Sequence, residues 1–60
     1  MKKRVYQVAT SEGPFVFFCD TLILAIDHAR QLSNDPAVPH IDPEEIGRVK
    51  FVGWREMGSL

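Results

Sequence analysis

The run Phe15-Val16-Phe17-Phe18-Cys19 restricts this chain more than any other part of it. Side chains alternate along a strand, so Phe15, Phe17 and Cys19 share one face while Val16 and Phe18 share the other. Such a strand asks for apolar cover on both sides. The whole chain has 60 residues, less than half of the ~150 that make a rough one-domain unit, so it makes one domain. A chain of that length buries only about 60% of the surface it exposes when unfolded. It can cover one face of a small sheet, and a partner can complete the other.

The segments around this run define the order of elements. Lys3 to Thr10 carries Val5, Tyr6 and Val8 among polar residues, a β-branched and aromatic content that predicts a strand. Ser11-Glu12-Gly13-Pro14 reads as the turn of a hairpin leading into Phe15 to Cys19. Asp20 or Thr21 can then cap a helix running to about Ser33, with Leu22, Ala25, Ile26, Ala29 and Leu32 in one apolar stripe. Asp27 and Arg30 form a weak pair on its opposite side. Pro36 ends the helix by pushing Asp35 out of helical geometry. Ala37 to Ile41 is a loop stiffened by Pro39, and Asp42-Pro43-Glu44-Glu45 predicts a one-turn helix ended by Gly47. Arg48 to Trp54 resumes strand character, Gly53 marks a bulge or close approach, and Arg55 to Leu60 is expected to fray.

Strand, strand, helix, strand with a right-handed crossover predicts an α+β fold, a small ββαβ domain. Its three-stranded, mostly antiparallel sheet has the spatial order second, first, third, and one helix packs on one face. Leu22, Ile26, Ala29 and Leu32 are expected to meet Val5, Phe15, Phe17 and Phe51 there. The face left without a helix is where function is to be sought.

Charge bears on function through its layout, because the net charge is only -1. Lys2, Lys3, Arg4, Arg48, Lys50 and Arg55 lie in or beside the first and third strands, whereas Asp27, Asp35, Asp42, Glu44 and Glu45 lie on the helix and in the loop after it. Charged strand edges are an ordinary guard against aggregation. Two functional readings stand beside that one. In the first, which is the expected contact, the acidic surface of Asp27, Asp35, Asp42, Glu44 and Glu45, which nothing internal obviously neutralises, docks on a basic groove that normally holds nucleic acid. In the second, Tyr6, Phe18 and Trp54, interleaved with Arg4, Arg48, Lys50 and Arg55, form a stacking strip for single-stranded nucleic acid.

Catalysis and cofactors have little to rest on. Cys19, His28 and His40 are the only soft ligand candidates and show no short-spaced pair, so no metal site and no cofactor is expected. Cys19 is expected as a small buried hydrophobe and His28 as a surface residue, with His40 close enough to Asp42 for contact. There is no Gly-rich phosphate loop, nucleophile elbow or convergent carboxylate pair. The expectation is a binder, not an enzyme. A lone cysteine suits the reducing cytoplasm, and no apolar run approaches the ~18 residues of a membrane span.

Asp20-Thr21-Leu22-Ile23-Leu24-Ala25-Ile26-Asp27-His28-Ala29-Arg30, following the hairpin, resembles a recurring pattern in tiny phage proteins. It is similar to a short phage inhibitor of bacterial RNA polymerase and to anti-CRISPR proteins built as a small sheet plus one helix. HicB-type antitoxins begin their helix comparably, although they have a further strand before it and a DNA-binding extension. The resemblance covers roughly Phe15 to Leu32. It implies a phage or mobile-element protein that obstructs a host nucleic-acid-handling complex, foremost a CRISPR effector and then RNA polymerase, in the bacterial cytoplasm. The alternatives are a small nucleic-acid-binding module and an antitoxin-like partner of a toxin.

Overall fold

A computed structural model describes residues 1–56. Five elements follow one another: β1 (Lys2–Thr10), β2 (Gly13–Phe18), α1 (Leu22–Leu32), α2 (Pro43–Ile46) and β3 (Lys50–Glu56). The strands form one sheet in the order β2-β1-β3, with β1 antiparallel to both neighbours. The predicted α+β architecture and strand order are what the structure shows.

The hairpin turn is tighter than the sequence suggests, with only Ser11 and Glu12 between the paired Thr10 and Gly13. Gly13 takes φ +106, a left-handed value that glycine adopts without a Cβ penalty. The Thr10 hydroxyl donates to the Gly13 carbonyl at 2.6 Å and accepts from the Glu12 amide at 3.2 Å, closing the turn. Of the two candidate caps for α1, Thr21 is the one used: its hydroxyl accepts from the Leu24 amide at 3.2 Å. After the helix the Asp35 carboxylate accepts from the Ala37 amide at 2.9 Å, which shapes the turn around Pro36.

The core is Tyr6, Val8, Phe17, Ala25, Ala29, Ile41 and Val49. Three residues expected in it are elsewhere. Val5 pairs across the sheet with Phe18 and Gly53, so alternation turns it to the face without a helix. Tyr6, the residue expected in an exposed stacking strip, takes the inward place instead, between Phe17 and Phe51 in register. Its ring lies 6.4 Å from Phe17 and 5.7 Å from Phe51. Phe51 shares that face but stays 46% exposed, and Leu22 is 47% exposed, because the helix stripe is fully covered only at Ala25 and Ala29. Ile26, Leu32 and Phe15 are half-buried against the core.

The loop carries more of the core than its composition announces. Ile41 and Val49 are buried, and Val38 and Ile46 pack beside them, so the α1–β3 connection acts as a second covering layer next to the helix. The Ser11 amide donates to the His40 carbonyl at 2.8 Å and ties this loop to the hairpin turn.

The expected bulge is present in the β1–β3 pairing, between Val5 and Tyr6, where Gly53 has φ +147. A Cβ there would meet no atom within 4 Å, so the backbone angle and not crowding calls for glycine. Arg55 and Glu56, expected to fray, belong to β3 instead: they pair with Lys3 and Lys2, and the Met1 ammonium donates to Glu56 Oε1 at 2.9 Å. The rest of that expectation concerns residues 57–60, outside the described part.

Candidate binding surfaces

The face of the sheet away from α1 is built by the odd residues of β1 and their partners. Val5 lies opposite Phe18, Gln7 lies between Val16 and Lys50, and Lys3 lies opposite Arg55. Paired residues point the same way, so Val5, Val16 and Phe18 form an apolar patch flanked by Lys3, Lys50 and Arg55. Val5, Val16, Phe18 and Arg55 line a shallow depression in it. No carboxylate comes from the strands on this face, because Glu56 pairs with Lys2 on the helix side.

The other face is only partly covered. Beyond the helix, the Arg4 guanidinium lies 4.8 Å from the Trp54 ring centroid and donates to the Asp20 carbonyl at 2.8 Å. Phe51 meets Trp54 edge to face at 5.9 Å. The proposed basic aromatic strip is thereby divided. Arg4 and Trp54 stack together on the helix side, whereas Lys50 and Arg55 project from the open face. Arg48 lies outside the sheet, in an ion pair with Glu45 at 3.8 Å. Phe18 and Trp54, expected on one platform, are on opposite faces.

The acids of the helix and loop are largely engaged close to home. Asp27 accepts from Gln31 at 3.2 Å and pairs with Arg30 at 3.6 Å. Asp42 lies 3.0 Å from His40, as expected of that pair. Asp35 is occupied by the Ala37 amide. Glu45, expected to be exposed, is half-buried beside Arg48, leaving Glu44 as the exposed acid of α2. The expectation that nothing internal neutralises these acids is therefore revised for Asp27 and Glu45, which have arginine partners three residues on, while Asp42 has a histidine beside it and Asp35 a backbone amide. Exposed pairs of this kind add little stability, but they reduce the field the acids would present to a basic groove.

Cys19, His28 and His40 do not converge. Cys19 is half-buried against the core, and the His28 ring packs on Phe17 at a centroid distance of 4.9 Å, more inward than a plain surface residue. Among the described residues no group of three or more His, Cys, Asp or Glu could hold a metal ion. Thr10, Ser11, His40, Asp42 and Glu45 line a small open cleft between the hairpin turn and α2. Both members of its His40–Asp42 pair are mostly solvated, with side chains 70% and 62% exposed. No described helix is long and apolar enough to cross a membrane.

The feature that composition does not reveal is the imbalance between buried and exposed apolar side chains. Val16, Phe18, Leu22, Ile23, Leu24, Phe51, Val52 and Trp54 are all at least 41% exposed. They exceed in number the seven core residues, two of which are alanines. The signal available in the sequence was the run Leu22-Ile23-Leu24, too apolar for a helix that covers one small sheet. No family model, curated protein or solved structure matches this chain.

Proposed function

We propose that this chain is a protein-binding domain without catalytic activity that inhibits a bacterial nucleic-acid-handling complex, a CRISPR effector or RNA polymerase, by lodging on it. The observation that carries this reading is the excess of exposed large apolar side chains over buried ones. On the open face Val16 and Phe18 join Val5 in one apolar patch, and an apolar patch rimmed by polar residues on a small domain marks interaction with another protein. A net charge of -1 gives no general attraction for free nucleic acid. The choice of target rests on the phage-protein resemblance of the hairpin and helix start. Such work belongs in the bacterial cytoplasm, where the free thiol of Cys19 stays reduced.

The open sheet face is the docking surface of this reading. Val5, Val16 and Phe18 offer the apolar centre and Lys3, Lys50 and Arg55 the rim, which suits a protein surface bearing carboxylates around an apolar site. The acidic residues Asp27, Asp35, Asp42, Glu44 and Glu45 are the competing surface, weakened where Arg30 and Arg48 pair with Asp27 and Glu45. A second reading is favoured by the Arg4–Trp54 stack: a nucleic-acid module that holds a single strand along β3.

Adding the purified protein to transcription by RNA polymerase and to cleavage by CRISPR effectors separates these readings. Stoichiometric inhibition of one assay is expected, lost in a Lys50→Glu, Arg55→Glu double variant and kept in Asp42→Lys, Glu44→Lys. If the second double variant loses inhibition while the first keeps it, the acidic surface is the contact. No inhibition together with tight binding of a single-stranded oligonucleotide, abolished by Trp54→Ala, replaces the proposal by the nucleic-acid module.

A further inference from the structure

The two edges of the sheet differ in a way that points to a second copy of this chain. The β3 edge is defended: it is bulged at Gly53, and Lys50, Arg55 and Glu56 place charge along it. Bulges and edge charges are standard obstacles to strand addition. The β2 edge has neither, and its one obstacle is Pro14 next to the hairpin turn. Its sequence Gly-Pro-Phe-Val-Phe-Phe contains no charged residue, and its pairing with β1 is regular from end to end.

The hydrogen-bond pattern shows which groups of β2 face outward. The Cys19 amide donates to the Arg4 carbonyl at 3.2 Å, so this pair and every second pair along the hairpin exchange bonds across β1–β2. Those are Tyr6 with Phe17 and Val8 with Phe15. Val16 and Phe18 therefore direct their N–H and C=O groups away from β1. Neither has another backbone hydrogen bond among the described residues. Pro14 shares their outward parity, and its missing N–H costs the β1 ladder nothing.

We infer that β2 pairs antiparallel with β2 of a second copy, across a twofold axis at Phe17, to make a continuous six-stranded sheet. In this register Val16 lies opposite Phe18 of the other copy, and their N–H and C=O groups satisfy one another in four hydrogen bonds. Centring the axis on Val16 would instead set Pro14 opposite Phe18, where proline has no N–H to give, so proline selects the first register. Val16 and Phe18 then also meet as β-branched and aromatic cross-strand neighbours on the open face. No like charges are brought together along the paired strands, since β2 carries none.

The helix side agrees with this arrangement. His28 packs over Phe17, so the flank of α1 that carries His28 lies above β2. Leu24, one turn earlier on that flank, is 51% exposed. A twofold axis at Phe17 brings this flank toward its own counterpart and offers Leu24 cover. The same symmetry joins the two open faces into one wider patch. This inference rests on backbone pairing and does not require the inhibitory function proposed above.

Sedimentation of the intact chain across a wide concentration range, with amide hydrogen exchange at its two ends, tests the inference. A monomer–dimer equilibrium is expected, with the Val16 and Phe18 amides protected in the dimer and exchanging freely in the dilute monomer. Val16→Pro removes one outward donor per copy and should weaken the dimer by about tenfold or more. Val16→Lys should do the same by placing charge on the edge, and it covers the case in which the proline variant fails to fold. Val52→Lys on β3 should leave the dimer intact. A monomer at every concentration overturns the inference, as does a dimer that survives both Val16 variants or one that is lost with Val52→Lys.

Discussion

Phe17 and Phe18 are neighbours in the chain and opposite in environment. Phe17 is 7% exposed, held between Tyr6 and His28, while Phe18 is 41% exposed beside Val5 and Val16. The strands offer apolar material to both faces, with Tyr6, Val8, Phe15, Phe17 and Phe51 on one and Val5, Val16 and Phe18 on the other. The face with more of it is the one covered. The right-handed crossover commits α1 and the loop after it to that side, and the chain has nothing left for the other. The open face is thus a consequence of topology in a chain too short for a second layer.

The largest effect that could break this contrast is at Phe17. Replacing it by Ala removes a ring that touches β1 and α1 at once, and the cost should be about 3–5 kcal/mol. Small domains are stable by only about 5–15 kcal/mol, so much of the population should unfold. Denaturant melts of Phe17→Ala against the parent measure it. A loss below about 1 kcal/mol would mean that the helix-covered face is not the core.

Ile26 lies between the two extremes. It belongs to the apolar stripe of α1 but is only half-buried against the core. Ile26→Ala should cost about 1–2 kcal/mol, below the about 2–5 kcal/mol that a fully buried isoleucine would lose. A loss equal to that of Phe17→Ala would show the helix seated more deeply than Ala25 and Ala29 alone allow. No measurable loss would place Ile26 on the solvent side.

Much of the fold was legible because its signals are local. Thr21 as cap, Pro36 as helix stop, Asp42-Pro43 as a helix start and Gly53 as a bulge each act within a few residues of themselves. Strand parity was harder. Val5 and Tyr6 are adjacent and both suit a core, and only the register against Phe17 and Phe18 shows which one turns inward. Ile41 and Val49 were hidden for a related reason: a buried loop residue has no periodicity to reveal it, only apolar character among prolines and acids. The candidate surfaces were legible as residue types and not as places. Lys50, Arg55 and Trp54 are close in sequence, yet the bulge and the alternation of β3 send Trp54 to one face and the two cations to the other.

The smallest expected effect is at Phe18, and it sharpens the comparison most. Its ring packs against Val5 and Val16, which face the same solvent, and it stays 41% exposed, so it withdraws less apolar surface from water on folding than Phe17 does. Serine at that position leaves a hydroxyl that water can satisfy, with no buried polar group left unpaired. Phe18→Ser should therefore cost below about 1 kcal/mol in dilute solution, and the denaturant slope should not change. The same substitution shrinks the apolar centre of the open face, so binding that uses this face should weaken while the fold persists. A stability loss approaching that of Phe17→Ala would show that the face is covered in solution. Repeating the melt across protein concentrations identifies the cover. A cost that grows with concentration belongs to a second copy, and one that does not belongs to the chain itself.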